Sequence, residues 1–265
     1  MPKLSELMSL KGRTAVVTGA TGHIGRIFCD TLAEQGADIV LVDRPGSDFA
    51  AVTESLAAWN VQAQSIPCDL ESDADRAQLV KQLLNAPQLN ILVNNAAFVG
   101  TSNLSGWVTA FEQQTTETWR RAIEVNLTAV FDLVKGLAPA MRRSPGASVI
   151  NIGSIYGVCG PDYAIYEGTT AGNPAAYAAS KGGLIQLTRW MATTLAPDVR
   201  VNAITPGGVF RNQPESLVTR YSARTPLGRM ASEDDFRGAA AYLASDMSTY
   251  VTGHNLMVDG GWSVW

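Results

Sequence analysis

The sequence predicts an α/β protein in which helices cover both faces of a doubly wound parallel sheet. Short runs rich in β-branched residues alternate with longer helical patterns along the 265 residues. Most of these runs are almost continuously apolar, as is typical of parallel strands buried on both faces. Strand–helix alternation of this kind builds right-handed βαβ units. Because no internal repeat or linker-like stretch divides the chain, we expect one domain over residues 1–265.

The expected strands and helices follow one another in a regular order. The strand-like runs are 13–18, 37–42, 61–66, 89–94, 148–152, 199–204 and 255–258. The helical patterns cover 24–35, 47–59, 72–85, 116–143, 175–196 and 233–244. Ligands of such sheets bind beyond the carboxyl ends of the strands, where the strand order reverses. Residues that directly follow a strand are therefore the first candidates for a functional site.

The composition argues against several classes of protein. A net charge of −4 does not favour a nucleic-acid partner, because phosphate binding requires a concentrated basic face. No apolar run reaches the roughly 20 residues that cross a bilayer, and the N-terminus lacks the apolar stretch of a signal peptide. We therefore expect a cytoplasmic protein with no membrane partner. The two histidines and three cysteines fit no ligand spacing, so no metal site is expected.

A glycine loop follows the first strand and opens the first helix. The loop reads TGATGHIG over residues 18–25. Glycines at Gly19, Gly22 and Gly25 allow a tight turn, a close approach to a pyrophosphate and close packing of helix on sheet. A plain tight turn is the alternative, but the position between strand and helix favours a dinucleotide site. The other loop residues expected at this site are Thr21, His23 and Ile24.

Acidic residues follow the second and third strands. The Asp43 carboxylate can accept hydrogen bonds from both hydroxyls of an adenosine ribose and repels a 2′-phosphate, which favours NAD over NADP. A turn former at the end of the strand is the less favoured explanation for Asp43. The neighbouring Arg44 can pair with a 2′-phosphate, which leaves NADP as the less favoured alternative cofactor. Asp69, with Leu70 beside it, is expected near the adenine edge, although a residue at the entry to a helix explains Asp69 equally well.

Seven motifs in this order resemble those of the short-chain dehydrogenase/reductase family. They are TGATGHIG (18–25), NNAA (94–97), EVNL (124–127), NIGS (151–154), YAASK (177–181), TPGG (205–208) and VDGGW (258–262). The resemblance extends from Thr14 to Trp262 and implies a Rossmann-type fold with an NAD(P)-dependent oxidoreductase activity on alcohols and ketones. It also implies further cofactor contacts from Asn95, Ala96, Ala97, Tyr177, Lys181, Pro206, Gly207 and Val209.

The resemblance implies a catalytic set of four residues. Tyr177 would exchange a proton with the substrate oxygen, and Lys181, one helical turn later, would lower the pKa of the phenol from its usual value near ~10. Ser154 would orient the substrate oxygen by a hydrogen bond. Asn126 would hold a water that connects Lys181 with solvent. Lys181 would also reach the ribose of the nicotinamide.

The chain departs from the family pattern at three places. The middle glycine of the loop is at Gly22, as in the extended members that modify nucleotide sugars, whereas the length and VDGGW are typical of single-domain members. Residues 155–173 make the gap between Ser154 and Tyr177 about ten residues longer than usual. Arg211 stands where the family commonly has a threonine that contacts the nicotinamide carboxamide. The insertion contributes three tyrosines that compete with Tyr177 for the catalytic role: Tyr156, Tyr163 and Tyr166.

The substrate is expected to be small, polar and hydroxylated, with an anionic substrate as one alternative, such as a sugar derivative or a sugar acid. Arginines suit carboxylates because their planar donors bind in pairs. Solvated surface charges are the alternative explanation for them. The loop 209–229 carries Arg211, Arg220, Arg224 and Arg229, and the insertion adds Glu167 and its tyrosines.

Two other functions remain open at the level of sequence. One is a nucleotide-sugar epimerase or dehydratase, which the Gly22 spacing suggests. The other is a dinucleotide-binding redox sensor without turnover. Parts of the chain, including YEGT and the stretch after TPGG, also resemble a branch associated with flagellin or surface-sugar modification. By the same resemblance, we expect a homodimer or homotetramer that pairs through the helices at 116–143 and 175–196.

Overall fold

A parallel sheet forms the centre of the protein in the computed structural model, which describes residues 1–99 and 104–265. The described residues contain seven strands in the order β3-β2-β1-β4-β5-β6-β7, and every pairing is parallel. The predicted doubly wound fold is therefore confirmed. The strands are β1 (Thr14–Thr18), β2 (Asp38–Asp43), β3 (Ala63–Pro67), β4 (Ile91–Asn94), β5 (Ala147–Ile152), β6 (Val199–Pro206) and β7 (Asn255–Val258).

The strand order reverses at β1. This strand pairs with β2 on one side and with β4 on the other, and Val17 lies opposite both Leu41 and Val93. The chain winds outward to β3 in one direction and to β7 in the other. A crevice therefore opens beyond the carboxyl ends of β1 and β4, which is where such sheets bind their ligands.

Helices pack on both faces of this sheet. Two of them were not predicted, α1 and α8, because short segments of mixed polarity carry a weak periodic signal. The pattern at 116–143 is also not one helix, since a π-helical turn, Glu124–Thr128, separates α5 from α6. The described helices are α1 (Leu4–Met8), α2 (His23–Glu34), α3 (Phe49–Leu56), α4 (Asp73–Leu84), α5 (Thr116–Ile123), α6 (Ala129–Arg142), α7 (Ala175–Leu195), α8 (Glu215–Arg224) and α9 (Arg237–Ala244).

Two apolar layers, one on each face of the sheet, form the core. Val16 belongs to the layer that contains Leu133 of α6, whereas its neighbour Val17 belongs to the layer that contains Phe28 and Leu32 of α2. Each of these side chains is at most 1% exposed. Because successive residues of a strand face opposite layers, each side chain of β1 must be apolar or must form its hydrogen bonds within the protein. This requirement explains the continuous apolar runs of the sequence. Within the described ranges, no helix is long and apolar enough to span a membrane.

Candidate active site

The glycine loop connects β1 to α2 at the reversal point of the sheet. Gly19 has a φ of +63°, a backbone conformation that favours glycine. A Cβ atom on Gly25 would lie 2.0 Å from the carbonyl oxygen of Gly19, so only glycine permits the observed packing of the first helical turn on the loop. The Asn95 amide supports the loop from β4, since its Nδ2 donates to the carbonyls of Thr18 and Gly19, each at 3.0 Å. The start of α2 is thereby held facing the crevice.

One cleft of about 750 Å³ extends from this loop to the end of β5. Its volume lies within the usual range for sites that bind small molecules and cofactors. The cleft brings together Ser154 and all of the residues predicted to contact a dinucleotide, but Asn126 does not line it. Lining residues that the sequence reasoning missed include Ser47, Cys68, Phe98, Arg121 and Gln213, which follow the strands or the predicted motifs closely but carry no signature of their own.

The Asp43 carboxylate joins the glycine loop to β2. Its Oδ2 accepts hydrogen bonds from the backbone N–H of Thr21 at 2.9 Å and from the Thr21 hydroxyl at 2.7 Å. Its Oδ1 accepts from the backbone N–H of Arg44 at 2.8 Å and, more weakly, from the Ser47 hydroxyl at 3.3 Å. The carboxylate therefore faces the end of the cleft where the adenosine is expected. Besides its predicted contact with ribose, it has a role in shaping the loop that the sequence did not reveal.

Tyr177 and Lys181 project into the opposite end of the cleft from α7. The alanines around them favour helix and leave room at the cleft wall. Lys181 is 2% exposed, and its Nζ donates to the carbonyl of Ile152 at 2.7 Å and lies 5.9 Å from the centroid of the Tyr177 ring. Burial lowers the pKa of Lys181 to about 8. A buried ammonium that has no carboxylate partner in the described part of the chain is thus held beside the tyrosine.

The pKa of Tyr177 differs from the sequence expectation. Burial raises it above the ordinary value, while hydrogen bonding with Ser154 and the positive charge of Arg211 oppose that increase. The lowering of this pKa by Lys181 stays a prediction; the Lys181 Nζ donates to the carbonyl of Ile152 and lies 5.9 Å from the centroid of the Tyr177 ring. The phenol is therefore protonated at neutral pH and is ready to donate its proton.

Ser154 directly follows β5 and faces the same end of the cleft. The residue is 7% exposed and has an extended backbone. Its Oγ accepts a hydrogen bond from the backbone N–H of Tyr156 at 3.2 Å, which fixes the position of the hydroxyl. Ser154 and Tyr177 together can present two hydroxyl groups to one substrate oxygen.

Asn126 lies behind Tyr177 and Lys181, in the π-helical turn. It is fully buried. Its Oδ1 accepts from the backbone N–H of Phe98 at 2.6 Å, and its Nδ2 donates to the Ser180 hydroxyl at 3.0 Å. These bonds join the loop after β4 to α7, and they occupy the amide that was expected to hold a water for Lys181. The water relay remains a prediction, and the side chain of Asn126 here has a structural role.

The insertion 155–173 packs against α8 and contributes none of the described residues that line the cleft. The hydroxyls of Tyr156 and Tyr166 hydrogen-bond to each other, and burial raises the pKa of both phenols. Tyr163 is exposed on the surface. Tyr177 is the one described tyrosine that lines the cleft, and contact of the substrate with the tyrosines of the insertion stays a prediction.

Three of the four arginines predicted to bind substrate are engaged elsewhere. Arg220 donates through Nη1 to backbone carbonyls of the insertion, including that of Glu167 at 2.6 Å. Arg224 pairs with Asp162 at 2.9 Å and lies over the Trp262 ring. Arg229 pairs with Asp235 at 2.7 Å. The sequence did not reveal these contacts, because the acidic or carbonyl partners are distant or inconspicuous in it. Of the four, Arg211 alone lines the cleft.

A glycine loop at one end of a cleft and a partly buried tyrosine beside a buried lysine at the other are typical of a dinucleotide-dependent oxidoreductase. The chain belongs to the short-chain dehydrogenase/reductase family. Residues 19–263 match the family model described as enoyl-(acyl carrier protein) reductase.

Two characterised relatives illustrate the range of substrates in the family. The chain is 35% identical to the rhamnolipids biosynthesis 3-oxoacyl-[acyl-carrier-protein] reductase of Pseudomonas aeruginosa, over 96% of this chain and 97% of that one. It is 34% identical to the galactitol 2-dehydrogenase (L-tagatose-forming) of Cereibacter sphaeroides, over 97% of each chain.

Solved structures extend the likeness to the complete fold. A gluconate 5-dehydrogenase from Burkholderia cenocepacia in complex with NADP and tartrate is 27% identical, with a TM-score of 0.85 over 99% of this chain and 100% of that one. The RhlG/NADP active-site complex of Pseudomonas aeruginosa is 32% identical, with a TM-score of 0.83 over 97% and 98%. An NAD⁺-bound xylitol dehydrogenase is 28% identical, with a TM-score of 0.82 over 95% and 99%. These relatives support a nicotinamide dinucleotide as the cofactor of this chain.

Proposed function

We propose that the protein interconverts a secondary alcohol and a ketone on a small, polar, hydroxylated substrate. The observation that carries this proposal is the joint position of Tyr177, Ser154 and Lys181 at one end of the cleft that begins at the glycine loop. Two hydroxyl groups and a buried ammonium suit a reaction in which one oxygen gains or loses a proton.

The residues at the cleft fit a nicotinamide dinucleotide. Gly19 and Gly22 would hold the pyrophosphate with backbone N–H groups, Asp43 would bind the adenosine ribose, and Lys181 would bind the ribose at the other end. When bound, the cofactor supplies the hydride donor or acceptor for the substrate carbon.

The protein's own residues would then control the proton. Ser154 would donate a hydrogen bond to the substrate oxygen and hold it beside the Tyr177 hydroxyl. In reduction, the protonated phenol of Tyr177 donates its proton to that oxygen. In oxidation the phenol must first lose its proton, and the positive charges of Lys181 and Arg211 favour the phenolate.

Relatives named for galactitol, gluconate and xylitol support a polyol or sugar as substrate. The relative named for 3-oxoacyl groups supports a second candidate, a 3-oxo thioester. The two candidates differ in polarity, and the polar groups at the reaction end favour the first. The test is the absorbance of the reduced cofactor during incubation with a panel of polyols and aldoses, and separately with a 3-oxoacyl thioester. Turnover of the thioester alone would contradict the proposal.

We further propose that NAD is preferred to NADP. The Asp43 carboxylate faces the position of the adenosine ribose, and a 2′-phosphate there would meet a negative charge. Two observations favour NADP instead: four solved relatives contain NADP whereas one contains NAD⁺, and the exposed Arg44 lies next to the carboxylate. Direct titration separates the two cofactors.

Replacing Asp43 by Asn tests this preference. The amide keeps an acceptor for the Thr21 donors but removes the charge, so we expect NADP affinity to increase about tenfold while NAD affinity changes less. Dissociation constants for both cofactors, measured by fluorescence titration, check this result. The control is Asp48→Asn, since Asp48 caps α3 outside the cleft. Tighter binding of NADP than NAD by the unmodified protein would overturn the preference.

A further inference from the structure

We propose that Arg211 forms an anion subsite at the reaction end of the cleft, so that the enzyme selects hydroxylated substrates that also carry a carboxylate. The inference rests on the proposed function, because it concerns the substrate of the same site. Beyond that function, the substrate carries a negative charge and Arg211 is the residue that binds it.

The hydrogen bonds of Arg211 leave part of its guanidinium available to a ligand. Its Nε donates to Oε1 of Glu233 at 3.1 Å, and the backbone N–H of Arg211 donates to the side chain of Gln213 at 2.6 Å. Among the described residues, neither Nη group has a hydrogen-bond acceptor. Glu233 does not line the cleft. The carboxylate therefore holds the guanidinium from outside, while the two free amino groups can bind a planar anion in a paired geometry.

The charges that line the cleft are distributed unevenly between its two ends. The acidic residues among them follow β2 and β3, at the end where the adenosine is expected: Asp43, Asp69 and Glu71. Arg44, beside Asp43, also lines that end and offsets one of these charges. Arg121 lines the cleft as well, but Glu71 neutralises it through two hydrogen bonds. The reaction end has Lys181 and Arg211 and, among the described lining residues, no carboxylate. An anionic group is attracted to that end, and a neutral polyol gains nothing from this field.

Arg229 on the same loop provides a matched comparison. It also pairs with an acidic residue near the start of α9, but both its Nη1 and its Nη2 donate to the Asp235 carboxylate, each at 2.7 Å, and it does not line the cleft. Both amino groups of its guanidinium are therefore used within the protein. Replacing Arg229 changes the charge of the same loop by the same amount without removing the subsite.

The test compares two probes with the same carbon skeleton, D-gluconate and D-glucitol. Their dissociation constants are measured by calorimetry with the protein saturated with the reduced cofactor, so that no alcohol can be oxidised during the titration. We expect the unmodified protein to bind D-gluconate at least about tenfold more tightly, and more weakly as salt is added. Arg211→Thr should raise the dissociation constant of D-gluconate about tenfold or more and change that of D-glucitol less than about threefold. Arg229→Thr should change neither dissociation constant by more than about threefold.

Other outcomes overturn the proposal. An equal loss of affinity for both probes in Arg211→Thr would mean that Arg211 only shapes the loop. A large loss of cofactor affinity in this variant would mean that Arg211 binds the cofactor instead of the substrate. No preference for D-gluconate by the unmodified protein, or no binding of either probe, would remove the subsite. Arg211-dependent binding of D-gluconate without any turnover of polyols, sugars or sugar acids would instead keep the subsite and contradict the proposed function.

Discussion

Replacing Tyr177 by Phe should reduce turnover about 10²- to 10⁴-fold, which is the usual contribution of a general acid or base. The ring packs partly buried against a cluster that contains Trp107, Ala122 and Ala176, and Phe preserves that packing. Cofactor affinity should therefore stay within a few fold. Steady-state rates and a cofactor titration of the same preparation measure both quantities.

The other tyrosines near the cleft provide the controls. Tyr156→Phe and Tyr166→Phe each break the hydroxyl pair of the insertion without removing a described group that lines the cleft. Their effect on turnover should be at least tenfold smaller than that of Tyr177→Phe. Wild-type turnover in Tyr177→Phe together with loss in Tyr156→Phe would transfer the proton-exchanging role to Tyr156.

Replacing Lys181 by Met should abolish turnover and also stabilise the protein. The ammonium is 2% exposed, has one carbonyl partner and has no carboxylate beside it. Its pKa falls from 10.5 to about 8 on burial, which corresponds to about 3 kcal/mol of destabilisation. Met has a similar volume and no charge, but it leaves the Ile152 carbonyl without this donor. We expect a net gain of about 2 kcal/mol in the free energy of unfolding at neutral pH.

The pH dependence of this gain has a definite sign. Because the folded protein lowers the pKa of Lys181, the unfolded chain binds more protons between about pH 8 and 10.5. The stability of the unmodified protein therefore increases over that interval relative to the variant, and the advantage of Lys181→Met is complete below about pH 8 and lost above 10.5. Denaturant unfolding at several pH values measures this. Lys135→Met, at an exposed site, is the control. A variant less stable than the unmodified protein at pH 7 would contradict the account.

The fold was predictable because the central strands are apolar on both faces. In β1, alternate residues such as Val16 and Val17 belong to different layers of the core, which produces a continuous apolar run. Its short length and β-branched residues identify this run as a strand. The π-helical turn Glu124–Thr128 was not predictable, since its residues have no pattern distinct from a regular helix. Helix α8 was missed for a similar reason: its buried positions are few, and only Leu217 and Tyr221 face the core.

The cleft was predictable to a similar extent. Its lining residues lie directly after strands, and topology brings those positions together whatever the side chains contact. The partners of charged and amide groups were not predictable, because they depend on pairs remote in the sequence. Arg224 with Asp162 and Asn126 with Ser180 are examples. The sequence likewise could not show that Glu233 binds the Nε of Arg211 and leaves its two Nη groups available among the described residues.

The most direct test of the account follows the hydrogen that leaves the substrate. A polyol that the enzyme oxidises is prepared with deuterium on its secondary carbinol carbons and incubated with the oxidised cofactor. If hydride passes from the substrate to the cofactor, we expect reduced cofactor that contains the deuterium to accumulate. We also expect slower oxidation of the deuterated polyol through a primary isotope effect. Deuterium that returns to the sugar without accumulation of reduced cofactor would indicate an epimerase. No reduced cofactor with any polyol, aldose or sugar acid, despite tight cofactor binding, would indicate a binding protein and contradict the proposed activity.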